Sequence, residues 1–379
     1  MPAAAAVSTG QQREIETLQA SLATLQRNMA QQRAEFEAAV HAERRKAQMA
    51  QAAMRDALWT ADYYAELYGT DAVQSITTQT HWPIRFYEFP HVPGTYWFNC
   101  GLAHAAGVDW LVTRRLRMSP ESQVNDIQFW RLPPDGGVKL DEHIDVTLPT
   151  QTPQDNFEDP RCFRMGRELW LSCCKFRPMV GAFAHQMLAR LDPQFQPVET
   201  ISPVIGNNGR SVGENVGHEK NWCWFEHENE MHLVYIMAPE HKVVRTANAA
   251  PVQRFIEPLN NPVWHHGLPR SGTPPVRVEG EYFAFFHSAT AWTKRQRRYH
   301  MGAYAFEAKR PFRPTSMSTI PLFSGSEHDP RRLGMPLVVF PNGALLRDGQ
   351  WTVTLGVNDC ACAAVTIPHA ELLDTLKRL

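Results

Sequence analysis

Five short apolar runs recur along the chain: "DWLVTRR" (109–115), "LWLSCC" (169–174), "HLVYIM" (232–237), "YFAFFHS" (282–288) and "QWTVTLG" (350–356). They follow one another at roughly 50–70 residues, each behind an acidic or polar turn residue and each preceded by another short strand candidate. That period accommodates a four-stranded antiparallel unit and a variable loop. A β-sandwich would also show many short strands, but five comparable units predict an all-β fold, a five-bladed β-propeller. The innermost strands of a propeller line a central channel, where polar groups distant in sequence converge. The polar clusters that open the five units are therefore read together: "FNCGLAH" (98–104), "NFEDPR" (156–161), "GHEKNWCWF" (217–225), "PRSGTPPV" (269–276) and "VVFPNGALL" (338–346).

Residues 11–58 obey a different period and contain neither Pro nor Gly. Ile15, Leu18, Leu22, Leu25, Met29 and Phe36 occupy a and d heptad sites, with Gln32 the first polar exception. A seven-residue period on a long helix predicts a left-handed coiled-coil seam; the alternative is one helix folded onto the main domain. The seam decays after Phe36, where Glu43 and Lys46 take the a and d sites. The expected organisation is a flexible N-terminus over 1–10, a helical coiled-coil segment over 11–60, a linker over 61–80 and the propeller over 81–375. Self-association through residues 11–40 would make a homo-oligomer.

Lys+Arg 38 against Asp+Glu 39 leaves a net charge of −1, which removes the electrostatic reason to expect nucleic acid or an anionic membrane as partner. The 7 cysteines are odd in number and form no CxxC pair, so buried thiols in a reducing compartment are expected rather than a disulfide framework. The opening "MPAAAAVSTGQQ" has no basic n-region and no adequate apolar h-region, and no uncharged apolar stretch reaches membrane-spanning length. A cytoplasmic protein is expected.

Taken alone, Asp159-Pro160 is a turn signal, because the proline ring restricts the residue before it. His218, His227 and His232 lie near several glutamates, yet no HExxH is present, and their odd separations would alternate faces on a strand; no metal site is expected. "IGNNGRSVGEN" (205–215) is Gly-rich without the strand-to-helix setting of a phosphate loop.

With the five clusters in register, the sequence resembles glycoside hydrolase family 130 over roughly residues 85–370. The resemblance rests on EDPR at 158–161, EKNW at 219–222, "RSGTPPV…EYFAFFHS", "RRYHMGAYAFEAKRPF" at 297–312 and "VVFPNGALLRDGQWTVTLGVND" at 338–359. It implies a five-bladed propeller and a cytosolic inverting β-mannoside phosphorylase, with some family members acting as hydrolases. The family's catalytic acid maps onto Asp159, whose proton is thought to travel through a sugar hydroxyl to the leaving oxygen. Inverting displacement needs an acid on one face and a nucleophile on the other; phosphate is already anionic, so cations replace a second carboxylate base. By motif match Lys220 leads the anion-binding candidates, with Arg114, Arg115 and Arg270 beside it; Arg161 would pair with Glu158 or Asp159, or join them. Asn99, Asn221, Trp222, His287 and Asp359 are the sugar-binding candidates. No cofactor is implied beyond inorganic phosphate as co-substrate. The third unit departs from the phosphorylases: where a His-Arg pair helps hold phosphate, this chain has only His241 and Lys242 nearby. Two alternatives stay open, a mannosyltransferase-like enzyme of cell-surface glycan synthesis using a nucleotide sugar or sugar phosphate, and a non-catalytic propeller that binds glycan or protein.

Overall fold

The computed structural model describes residues 17, 18, 21, 22, 25, 26, 28, 29, 31 and 32, then 76–78, 80–119, 122–150, 156–177, 183–203, 205, 220–248, 250–259, 264–291, 297–326 and 336–379. The chain divides into two units, Met1–Ala57 and Leu58–Leu379. The described residues of the first unit are α-helical, and its seam residues Leu18, Leu22, Leu25 and Met29 are exposed. Ile15, Phe36, Glu43 and Lys46 lie outside the described residues.

The second unit is all-β and propeller-like apart from the short helix His369–Asp374; its described residues form five antiparallel sheets, four of four strands and one of eight. The first sheet runs Thr95–Ala105, Val108–Ser119, Ser122–Arg131 and His143–Val146. The second runs Asn156–Met165, Glu168–Arg177, Phe183–Leu191 and Pro197–Ile201. The third runs Cys223–His227, Glu230–Ile236, Glu240–Ala247 and Ala250–Pro258. In the fourth, Arg270–Ser271 and Val276–Val278 both pair with Glu281–Ala291, which pairs with Arg297–Glu307. The fifth runs Val339–Arg347, Gln350–Val357 and Ala361–Pro368, and Ile84–Phe86 completes it from the other end of the unit with Ile84 opposite Val365. Each of the five apolar runs forms the second strand of a different sheet, and each polar cluster contributes to the first.

Core side chains fill the spaces between neighbouring sheets. Phe283, Phe285, Trp351 and Val365 form one such cluster, Phe225, Val243, Tyr282 and Phe306 a second, and Val112, Phe129, Leu171 and Met187 a third. Burying an aromatic or aliphatic side chain of this size stabilises by roughly 1.5–3 kcal/mol. Two small strands widen the fourth sheet: Ile76–Thr78 pairs with Phe323–Gly325, and Leu376–Arg378 with Pro314–Ser318. The sheets thus take in residues on both sides of the expected 81–375.

The first strands crowd together partway down. A Cβ on Gly101 would lie 2.5 Å from the Pro160 carbonyl oxygen, and one on Gly343 would lie 2.3 Å from the Leu102 nitrogen. Only glycine allows the neighbouring backbones this approach. The result is a waist, with the catalytic candidates above it.

All seven cysteines are buried and unbridged. No described helix is long and apolar enough to cross a membrane.

Candidate active site

Three first strands enter the waist through an Asn or Asp in the left-handed region: Asn99 (φ 48°), Asp159 (φ 53°) and Asn221 (φ 67°). These side chains tolerate that conformation better than other non-glycine residues. The pairing shifts between Phe98 and Gly101, between Glu158 and Arg161, and between Pro341 and Gly343. A bulge interrupts the up-down alternation of a strand and re-aims the bulged side chain. Here it brings sheets together: Asn99 Nδ2 donates to Asp159 Oδ1 at 3.0 Å and to Asp359 Oδ1 at 3.2 Å. The first, second and fifth sheets meet at that amide.

Asp159 is 8% exposed and Glu158 lies partly buried beside it. Arg114 stacks over the Phe98 ring and donates to Glu158 at 2.8 Å and to Asn125 Oδ1 at 2.7 Å. Asn125 is held in turn by Asn156, which accepts from both its backbone and its side-chain amide. Glu158 is thereby tied to the wall.

Lys220 is solvent-accessible. The surrounding protein opposes its charge, but the fields of Asp159, Cys174 and Glu158 outweigh this and hold the ammonium above the ordinary lysine value. Arg161 is 1% exposed; its Nε donates to the Gly272 carbonyl at 2.6 Å, Nη1 to the Asp159 carbonyl at 3.1 Å, and Nη2 has no partner. Its guanidinium lies 5.5 Å from the Phe340 ring centre. His287, opposite Arg270 in the fourth sheet, is buried with Nδ1 unpartnered. Burial, followed by the positive fields of Arg161, Arg270 and Lys220, drives its pKa well below the ordinary histidine value and keeps the ring neutral. The charges of Arg161, Arg270 and Lys220 thus all act on one neutral imidazole, and none of the three makes an ion pair with a carboxylate among the described residues.

Two candidates sit elsewhere. Arg115 is engaged by both carboxylate oxygens of Asp126, at 2.6 and 2.8 Å, and by Asp145. Trp222 is buried in an apolar cluster, edge-on to Trp224 and Tyr235, with no face offered to a sugar. In the third sheet His241 is buried and donates to the Phe312 carbonyl, and Lys242 pairs with Glu240. His227 and His232 were expected on opposite faces, but the turn at Glu228–Asn229 reverses the chain and stacks their rings edge-on at 5.5 Å. His218 lies outside the described residues, and among those described no group of three or more His, Cys, Asp or Glu could hold a metal.

Sequence reasoning missed Asn342, which is fully buried at the bulge of the fifth sheet with both side-chain polar atoms unpartnered. The available signal was its place in "VVFPNGALL", matching Asn99 and Asp159 in the other first strands. It also missed Tyr299, whose field reaches Lys220, and the Asn125–Asn156 support.

The fold is that of an all-β, propeller-like protein. A family model described as beta-1,4-mannooligosaccharide phosphorylase matches residues 70–378, and the chain belongs to glycoside hydrolase family 130. Among solved structures it is similar to a beta-1,2-mannobiose phosphorylase from Listeria innocua, with TM-score 0.55 and 15% identity over 76% of this chain and 94% of that one. A GDP-Man-dependent mannosyltransferase from Leishmania mexicana gives TM-score 0.52 and 12% identity over 77% and 91%. At these identities the likeness shows the fold alone. No curated protein sequence matches the chain.

Proposed function

We propose that the chain transfers a mannosyl group with inversion between a β-mannoside and inorganic phosphate, with Asp159 as the acid. The observation that carries this reading is the grouping of Lys220, Arg161 and Arg270 near Asp159, with Lys220 held in its charged form by the nearby carboxylates. All three cations act on neutral His287 and none makes an ion pair with a carboxylate among the described residues, so they would receive an anionic co-substrate. In the sequence of events, phosphate is held by these cations below the sugar. Asp159, positioned by Asn99, gives up its proton through a sugar hydroxyl to the leaving oxygen, and phosphate forms the new bond at the anomeric carbon. Asn221, whose amide donates and accepts, and Asp359, whose carboxylate accepts, would hold sugar hydroxyls, with Asn99 beside them. The eight-stranded sheet completes the ring as the fifth blade, and the exposed leucines of residues 18–29 pair with a second copy as a coiled coil.

One observation favours a second reading. His241 and Lys242 are both occupied elsewhere, so the third sheet adds no extra phosphate ligand. A nucleotide sugar, carrying its own diphosphate, would also satisfy Lys220, Arg161 and Arg270. Incubating the full chain with β-1,4-mannooligosaccharides, with and without phosphate, and separately with GDP-mannose and acceptor sugars, distinguishes the two. Mannose 1-phosphate formed only when phosphate is present supports phosphorolysis; consumption of GDP-mannose that requires the acceptor sugar, with no phosphate-dependent reaction, supports transfer.

A further inference from the structure

Below the waist the channel reopens into a cavity of ≈ 400 Å³ lined by all five sheets, through residues that include His104, Arg164, His227, Arg277 and Leu345. Each of these lies at or just before the hairpin turn joining the first strand of its sheet to the second. They follow Asn99, Asp159, Asn221, Gly272 and Asn342 by three to six residues, which at about 3.3 Å per residue places the cavity on the order of 10–20 Å below the catalytic candidates. Two features separate the levels. The backbones close in at Gly101 and Gly343, and Arg161 reaches from the second sheet to the Gly272 carbonyl of the fourth beside Phe340 of the fifth.

The cavity has its own charge pattern. Arg164 donates to the carbonyls of Arg167 and His104, and Arg277 to the carbonyl of Glu279. Neither guanidinium has a carboxylate partner among the described residues, although both are exposed at the cavity and come from different sheets. Glu228 is neutralised by Arg310 at 3.3 Å, so Glu226 is the one lining carboxylate without a cation partner among the described residues. His227 is 3% exposed, bonded through Nδ1 to the Tyr282 hydroxyl at 3.1 Å, and burial lowers its pKa, so it stays neutral. Carbonyl-held guanidiniums are fixed in direction but keep their charge, which is the state that recognises phosphate or carboxylate oxygens. The Glu226 carboxylate supplies an acceptor for hydroxyl groups.

We propose that this lower cavity is a second ligand site, separate from the catalytic channel, for a small hydroxylated organic anion held by Arg164 and Arg277. A sugar phosphate and a sugar acid share that chemistry. The site stands independently of the reaction assigned above, because its test reads binding and not turnover.

The test is calorimetric titration of the full chain with mannose 1-phosphate, gluconate and, as the neutral control, mannose. The titrations are repeated on Lys220→Ala/Arg270→Ala, which impairs the upper site, and on Arg164→Gln/Arg277→Gln. The expected result is an anion-binding event that survives in the first variant and weakens at least tenfold in the second. Mannose 1-phosphate binding without gluconate identifies a phosphate-selective site, and binding of both identifies a general acid site. Unchanged anion affinity in Arg164→Gln/Arg277→Gln, absence of any event in Lys220→Ala/Arg270→Ala, or equal binding of mannose overturns the proposal. Far-UV circular dichroism checks folding; should the glutamine pair unfold, Arg164→Lys/Arg277→Lys replaces it, with the same weakening expected from loss of the fork geometry.

Discussion

Asn99 of the first sheet holds Asp159 of the second through a 3.0 Å hydrogen bond from its side-chain amide. The same amide nitrogen reaches Asp359 of the fifth. One side chain thus fixes the direction of the proposed acid and its distance from a second carboxylate. Asn99→Ala should lower kcat on β-mannooligosaccharides by roughly 10–100-fold, the worth of a hydrogen bond to a charged group. Steady-state kinetics check this, with KM for phosphate expected to move far less.

Gly356 tests the same contact from behind. A Cβ at this position would lie 2.0 Å from Asn99 Oδ1 and 2.8 Å from Asn99 Cα. Gly356→Ala must therefore displace Asn99, with a loss of about 1–3 kcal/mol in stability from overpacking. Its kcat should fall to the level of Asn99→Ala. Combining the two substitutions should cost little more than either alone, as expected for residues acting through one contact.

Buried histidines set an acid limit to stability. Burial lowers His232 and His241 to about 4, against an ordinary value of 6.5. The unfolded chain takes up these protons as pH falls through 6.5, whereas the folded chain resists until about 4. Stability is therefore full above 6.5 and declines between 6.5 and 4, by up to about 1.4 kcal/mol per pH unit for each such group. Thermal melts of wild type and His241→Gln across this window should show the shallower acid slope in the variant.

The helical segment offers a clean structural test. Leu18, Leu22, Leu25 and Met29 are helical and exposed, and polar substitution at a seam position breaks knobs-into-holes packing. Leu22→Lys should reduce the mass in solution to that of a monomer at micromolar protein, measured by light scattering, without changing turnover. An unchanged mass would remove these residues from any assembly.

Much of the sheet architecture was legible because it is local. An antiparallel hairpin writes its strands and turn into neighbouring residues, so "LWLSCC" and "QWTVTLG" read directly as strands. The pairings of Ile84–Phe86 with the last sheet, and of Ile76–Thr78 with the fourth, join segments far apart in sequence and leave no local pattern. At the site, residue types were legible and facing was not. Arg114 and Arg115 are neighbours on one strand, so their side chains take opposite faces; one reaches Glu158 and the other Asp126. Trp222 follows a left-handed Asn221 that resets the alternation and carries the indole into the core. Asn342 stayed hidden because its significance lies in a bulge, a feature of pairing rather than of composition.

The central claim is that Asp159 supplies the proton while the neighbouring cations hold the anion, and one substitution separates these roles. Asp159→Asn keeps the shape and the Asn99 contact but removes the transferable proton. Phosphorolysis of β-1,4-mannooligosaccharides, followed as mannose 1-phosphate released, should fall at least about 100-fold, while phosphate affinity stays at or above the wild-type level. Turnover within a few-fold of wild type in a correctly folded Asp159→Asn protein would contradict the account.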